Sequence, residues 1–133
     1  MFDSSMPLLQ HGNSKLGRAI HVWSIPAVET CPGSTAVCRK LCYATRHRFR
    51  FQSVQRRLAW NLSQCERSDF VERMIAEIRS SGVLVLRVHV AGDFYDAGYV
   101  HKWIAIIKAS PRVCFYAYTR SWQHIAIAAA LKE

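Results

Sequence analysis

VLVLRVHVAGDF, residues 83–94, reads as a β-strand with two unlike faces. Leu84, Leu86, Val88 and Val90 fall on one side, and Val85, Arg87, His89, Ala91 and Asp93 on the other. The first side suits packing against helices, the second a crevice or barrel interior. Gly92 and Asp93 stand at its C-terminal end, where parallel α/β folds keep their ligand sites.

The segments around it repeat one theme. AIHVWSI (19–25), β-branched and aromatic, reads as the first strand, stopped by Pro26; VCFYAYT (113–119) reads as the third. Between the first two strands, Val54, Leu58 and Leu62 make a helical stripe over 52–64 with Arg56 and Arg57 turned away from it. A second helix follows, with Asp69 and Glu72 in capping-box spacing, an apolar face of Phe70, Val71, Met74, Ile75 and Ile78, and an end near Gly82. Tyr99, Val100, Trp103, Ile104 and Ile107 give another helix, closed before Pro111, and Ser121 is placed to cap a last, Ala-rich one. Trp23, Trp60 and Trp103 read as core. Residues 1–18, with Pro7, Gly12, Asn13 and Gly17, read as an irregular lead-in. The fold class is therefore α/β: one domain over residues 1–133, built of parallel βα units with about three strands and flanking helices.

The first strand runs into CPGSTAVCRKLC, residues 31–42, with thiols spaced C-x6-C-x3-C. Thiolates select zinc, copper(I) and iron–sulfur clusters. Cysteine also packs as a small hydrophobe, but that suits a lone residue better than three on a loop carrying Pro32, Gly33, Arg39 and Lys40. Cys31, Cys38 and Cys42 are thus the candidate metal ligands. Two further cysteines remain: Cys65, a buried thiol at a helix end or else a fourth ligand, and Cys114, expected in the core. With His47, the three thiols would also make a Cys3His set of the kind zinc closes tetrahedrally.

Charge is concentrated beside these thiols. The net charge is +9, yet residues 30–65 hold seven Lys or Arg and no Asp or Glu. The remaining 11 basic and 9 acidic residues nearly balance. The basic segment Arg46–Arg57, with Phe49 and Phe51 interleaved, is expected to favour an anionic small molecule or a nucleic acid. Nothing at the N-terminus reads as a secretory signal, and no apolar run approaches the roughly 20 residues that span a bilayer. A cytoplasmic protein is expected, where clustered cysteines mean metal or redox chemistry more often than disulfides.

The order of strand, three-cysteine loop with an adjacent aromatic, helix, and second strand ending in a Gly–acidic pair resembles the start of the radical SAM barrel. More narrowly, CPGSTAVCRKLCYA, HVAGDFYD and FYAYTRS resemble the phage "gene product 88" family, from about Asn13 to Ser121. The first resemblance implies a cut-down or partial radical SAM-like barrel, since three βα units are less than half of a typical barrel of about 250 residues. It further implies a [4Fe–4S] cluster on Cys31, Cys38 and Cys42 with one iron open to S-adenosylmethionine, and, for an enzyme, reductive cleavage of that cofactor. Tyr43 would neighbour the adenine, and Gly92 with Asp93 would meet the methionine amino group. The spacing differs from the usual C-x3-C-x2-C, the aromatic follows the last cysteine, and the pair is Gly-Asp where the superfamily has Gly-Gly-Glu.

Beside that resemblance, the candidate catalytic residues are His89, which could move protons, and Asp93, which could accept from a ligand's ammonium group; Arg120 is the candidate for contacting an anion. A second subunit would complete the sheet as a homodimer. Two other classes of function stay open: a zinc-stabilised basic nucleic-acid-binding module, and an electron-transfer or scaffold protein whose cluster Cys65 closes. If the chain is phage-encoded, its compartment is the host cytoplasm.

Overall fold

The structure is a computed structural model that describes residues 6–12, 17 and 19–133. Asn13 and the first five residues, on which the reading of the N-terminus rests, lie outside the described residues. Four strands form one open sheet in the order β1 (Gln10–His11), β2 (Ile20–Trp23), β3 (Val85–Val88) and β4 (Cys114–Ala117). β2, β3 and β4 are mutually parallel, and β1 runs antiparallel to β2. The fold is mixed α/β, and β1 makes a strand out of part of the expected irregular lead-in.

Parallel neighbours need long crossovers. α1 (Ala36–Leu41), two 3-10 turns (Tyr43–Thr45 and His47–Arg50), α2 (Gln52–Cys65) and α3 (Phe70–Ser80) lead from β2 to β3. α4 (Ala97–Lys108) joins β3 to β4, and α5 (Ile125–Leu131) follows a third 3-10 turn, Ser121–Gln123.

The core lies between one sheet face and α3, α4 and α5. Trp23 and Val88 stand side by side in the sheet, as do His21 and Leu86. Trp23 meets Phe70 of α3 with ring centroids 5.4 Å apart and Trp103 of α4 at 6.4 Å. Phe70 and Trp103 close the triangle edge to face at 6.1 Å. Met74, Ile78, Ile106, Ile127 and Ala130 belong to the same cluster, and Trp60 packs half-buried at its margin. The other face carries Val22, Arg87 and Tyr116 in register, each half-buried.

Several expectations are corrected by this packing. β3 is four residues long, because His89 takes a left-handed backbone (φ 70°) and ends the alternation. Leu84 precedes the strand and is 68% exposed instead of lying on the apolar face. Ile106, not Ile107, faces the core from α4. Asp96, not anticipated, caps that helix by accepting from the Tyr99 amide at 2.7 Å. Asp69 sits at the N-cap of α3, but its carboxylate pairs with Arg67 instead of capping. Ser121 is fully buried in a 3-10 turn, and α5 starts at Ile125 with His124 at its N-cap. Cys114 is exposed, because β4 is the outer strand of the sheet.

Arg57 also departs from its expected outward position. It donates to Asn61 Oδ1 and to the Pro7 and Leu8 carbonyls, while the Glu77 carboxylate accepts from the Leu8 and Leu9 amides at 2.6 Å each. One cation from α2 and one anion from α3 thus satisfy the backbone that buries Leu8 and Leu9.

The aromatic triangle yields a prediction. Phe70→Ala leaves a cavity that Trp23 and Trp103 cannot collapse into, and the expected loss is about 3–5 kcal/mol, read from the urea midpoint. A loss under about 1 kcal/mol would mean that the three rings do not share one rigid core.

Candidate functional site

The loops leaving the C-terminal ends of β2, β3 and β4 meet around one cavity of about 340 Å³. Cys31, Cys38 and Cys42 line it from the first loop, Ala91, Gly92 and Asp93 from the second, and Tyr118, Thr119 and Arg120 from the third.

Local structure explains how the thiols come together. Thr35 is the N-cap of α1, its hydroxyl accepting from the Cys38 amide at 3.0 Å. A helical turn from that cap puts Cys38 and Cys42, four residues apart, on one side. Cys31 is held by a turn in which its amide donates to the Val28 carbonyl and its own carbonyl accepts from Ser34. All three thiols are half-buried. Burial pushes the Cys31 thiol above its ordinary value, and the nearby Asp93 carboxylate pushes the same way. Among the described residues, no three His, Cys, Asp or Glu side chains stand close enough to enclose a single metal ion.

Two glycines permit the loops to touch. At Gly33 a Cβ would lie 2.1 Å from the Arg120 carbonyl oxygen, so only glycine lets the cysteine loop reach the backbone after β4. His124 Nε2 adds a contact to the Pro32 carbonyl at 2.9 Å. Gly92 has φ 82°, and a Cβ there would lie 2.5 Å from Ile25 Cγ1 and 2.7 Å from the Ile25 carbonyl oxygen.

Asp93, expected to serve a ligand's ammonium group, is built into the scaffold. It is buried, its Oδ1 accepting from the Phe94 amide at 2.8 Å and the Thr119 hydroxyl at 2.6 Å. Its Oδ2 accepts from the Arg120 amide at 2.9 Å. Thr30, beside Cys31, donates its hydroxyl to the Pro26 carbonyl at 2.5 Å and accepts from the Asp93 amide at 3.4 Å. Thr30 and Thr119 escaped the sequence reading; their position next to Cys31 and Arg120 was the available signal.

His89 also lines the cavity, but its ring is turned into the core. Its Nε2 lies 2.8 Å from the Tyr99 hydroxyl, which also accepts from Trp23 Nε1 at 2.9 Å. Burial lowers His89 to about 3, so the imidazole is neutral at neutral pH. Arg87 keeps the face predicted for it, with its guanidinium carbon 5.7 Å from the Tyr118 ring centroid. Its Nε is buried without a partner among the described residues. The Tyr43 hydroxyl donates to the Val90 carbonyl, joining the end of the cysteine segment to the loop after β3.

The remaining candidates lie elsewhere. Cys65 is fully buried in α2, donates to the Asn61 carbonyl at 3.3 Å and is pushed up to about 12 by burial. His47 is exposed on a 3-10 turn and does not line the cavity. A second cavity, of about 450 Å³, adjoins the first at Val90 and is lined by His11, Phe49 and Arg57 among others.

Comparison with known proteins places this arrangement in a lineage of phage proteins. The family model described as "Gene product 88" matches residues 7–133, and the chain belongs to that family. The "Gene 88 protein" of Mycobacterium phage L5 is 31% identical over 122 residues, covering 82% of this chain and 51% of that protein. The "Gene 88 protein" of Mycobacterium phage D29 is 29% identical over 122 residues, covering 82% and 50%. The chain thus spans about half the length of these curated relatives. No solved structure matches it. Among the described residues, no helix is long and apolar enough to cross a membrane.

The glycine geometry predicts unequal costs for one substitution at two sites. Gly82→Ala meets open space and bears only the left-handed penalty, about 1 kcal/mol. Gly92→Ala adds overpacking against Ile25 and Thr30, for a total of about 3 kcal/mol or more. Thermal denaturation of the two variants side by side measures the difference, and equal losses would contradict the packing described for Gly92.

Proposed function

We propose that Cys31, Cys38 and Cys42 hold a [4Fe–4S] cluster in a cut-down radical SAM-like fold. The observation that carries this reading is the meeting of all three thiols with the loops after three consecutive parallel strands around a single cavity. A cubane takes one thiolate at each of several irons. It therefore suits thiols that share a cavity without converging on one point, whereas a zinc ion needs all its ligands within about 2.3 Å of one centre. His47, the fourth member of a zinc set, stands outside the cavity, and Cys65 is enclosed in the core. Three thiolates would leave one iron free to hold S-adenosylmethionine; a cluster reduced by an external one-electron donor would supply the electron that breaks a sulfonium C–S bond, giving methionine and a carbon radical.

The chain's own residues have separable tasks in this reading. Burial keeps the Cys31 thiol protonated until a metal takes its place, so loading releases protons. Gly33 and Gly92 let the three loops close to one another. Asp93 fixes the loops after β3 and β4, and Tyr43 fixes the end of the cysteine segment. Arg87 and Arg120 supply positive charge beside an anionic cluster or a bound carboxylate. The basic segment following the thiols suits an anionic partner, and the open edge of β4 suits a second copy that extends the sheet.

Protein purified without oxygen is expected to be brown, with about four irons and four sulfides per chain, and its absorption should shift on adding S-adenosylmethionine. Cys31→Ser, Cys38→Ser and Cys42→Ser should each remove iron, while Cys65→Ser should retain it. A colourless protein with one zinc would overturn the cluster, and loss of iron in Cys65→Ser would overturn the open site.

A further inference from the structure

We infer that the surface immediately outside the cysteine cavity binds single-stranded nucleic acid, led past the mouth of that cavity. The inference stands on the surface itself and is independent of which metal the thiols hold. Arg39, Lys40, Arg46, Arg48, Arg50 and Arg56 are all exposed. Among the described residues, none of them pairs with a carboxylate. No acidic residue occurs between Glu29 and Glu66. Surface cations are ordinarily interspersed with anions, and a one-sign run self-repels unless a polyanion neutralises it.

The run is also anchored where a ledge needs to be. Arg39 Nη1 donates to Ser34, a cavity-lining residue, through its carbonyl at 3.3 Å and its hydroxyl at 3.1 Å. Arg46 Nη2 donates to the Lys40 carbonyl at 2.7 Å, bringing the 3-10 turns against α1, which carries Cys38. The cations therefore start at the cavity rim and lead away from it along α1, the two turns and α2.

Aromatic rings accompany them. Tyr43 is 52% exposed and lines the cavity, and Phe51 is 60% exposed. Phe49, half-buried, meets Tyr43 edge-on at 5.8 Å and supports it. Exposed rings among unpaired arginines are the means by which proteins stack successive bases while holding the phosphates. A duplex would instead call for an element that enters a groove. Here the cations sit on a six-residue helix, two 3-10 turns and the first half of α2.

Fluorescence anisotropy with labelled 20-nucleotide RNA and DNA strands, at 50–200 mM salt, tests this. Arg48→Ala/Arg50→Ala/Arg56→Ala is compared with Arg79→Ala/Lys108→Ala/Arg112→Ala, which removes the same charge from other exposed positions. The first triple should weaken binding about ten-fold or more and lower the log–log salt slope by about 2. The second should change affinity less than about two-fold. Phe51→Ala should weaken binding by about five-fold or more with the slope unchanged, as loss of a stacking ring requires. The first triple, whose residues do not line the cavity, should keep the parent's metal content, which separates this surface from the thiol site. Equal losses in the two triples, or equal affinity for duplex and single strand, would overturn the inference.

Discussion

The site depends on one buried carboxylate. Asp93 accepts from an amide in its own loop, from the Thr119 hydroxyl and from the Arg120 amide, and its own amide reaches Thr30 beside Cys31. Three segments that leave three different strands are thereby held at hydrogen-bond distance of a single residue. A buried charge of this kind is tolerated only because donors surround it. The loops it gathers include one that carries all three cavity thiols, so the chemistry of the cavity rests on an interaction that is itself structural.

Around this anchor the sheet supplies direction and the helices supply mass. Parallel strands ending together place their exit loops on one edge, and the aromatic triangle of Trp23, Phe70 and Trp103 sets the helices against the opposite face. The face with Val22, Arg87 and Tyr116 is left free of that core, and it leads toward the cavity. Division of a sheet into a greasy side and a polar side is what allows one short domain to have both a core and a site.

Much of this was legible in the sequence because it depends on periodicity and spacing. The three strands and the helices over 52–65 and 70–80 follow from residue types at regular intervals, and Gly92, Arg120 and the cysteine loop share one edge because all three follow strands in a parallel order. What escaped depends on single backbone angles and on long-range partners. Alternation carries His89 onto the face of Arg87, but a φ of 70° turns its ring toward Tyr99. Arg57 and Glu77 look like surface charges by type, yet they satisfy the amides and carbonyls of residues 7–9, some fifty and seventy positions away. β1 is two residues long, too short for any periodic signal. A place at a strand end marks Asp93 in the sequence, but its commitment to Thr119 and Arg120 depends on loops that only the folded chain brings together.

The five cysteines now fall into three chemical environments, and the outermost has a practical consequence. Cys114 lies exposed at the start of β4, whose outer side pairs with no further strand among the described residues. Handling in air can join two such edges through one intermolecular disulfide, giving a dimer that dithiothreitol dissolves. Association through strand pairing persists in the reductant. Sizing the protein with and without dithiothreitol therefore separates an oxidation artefact from a native assembly.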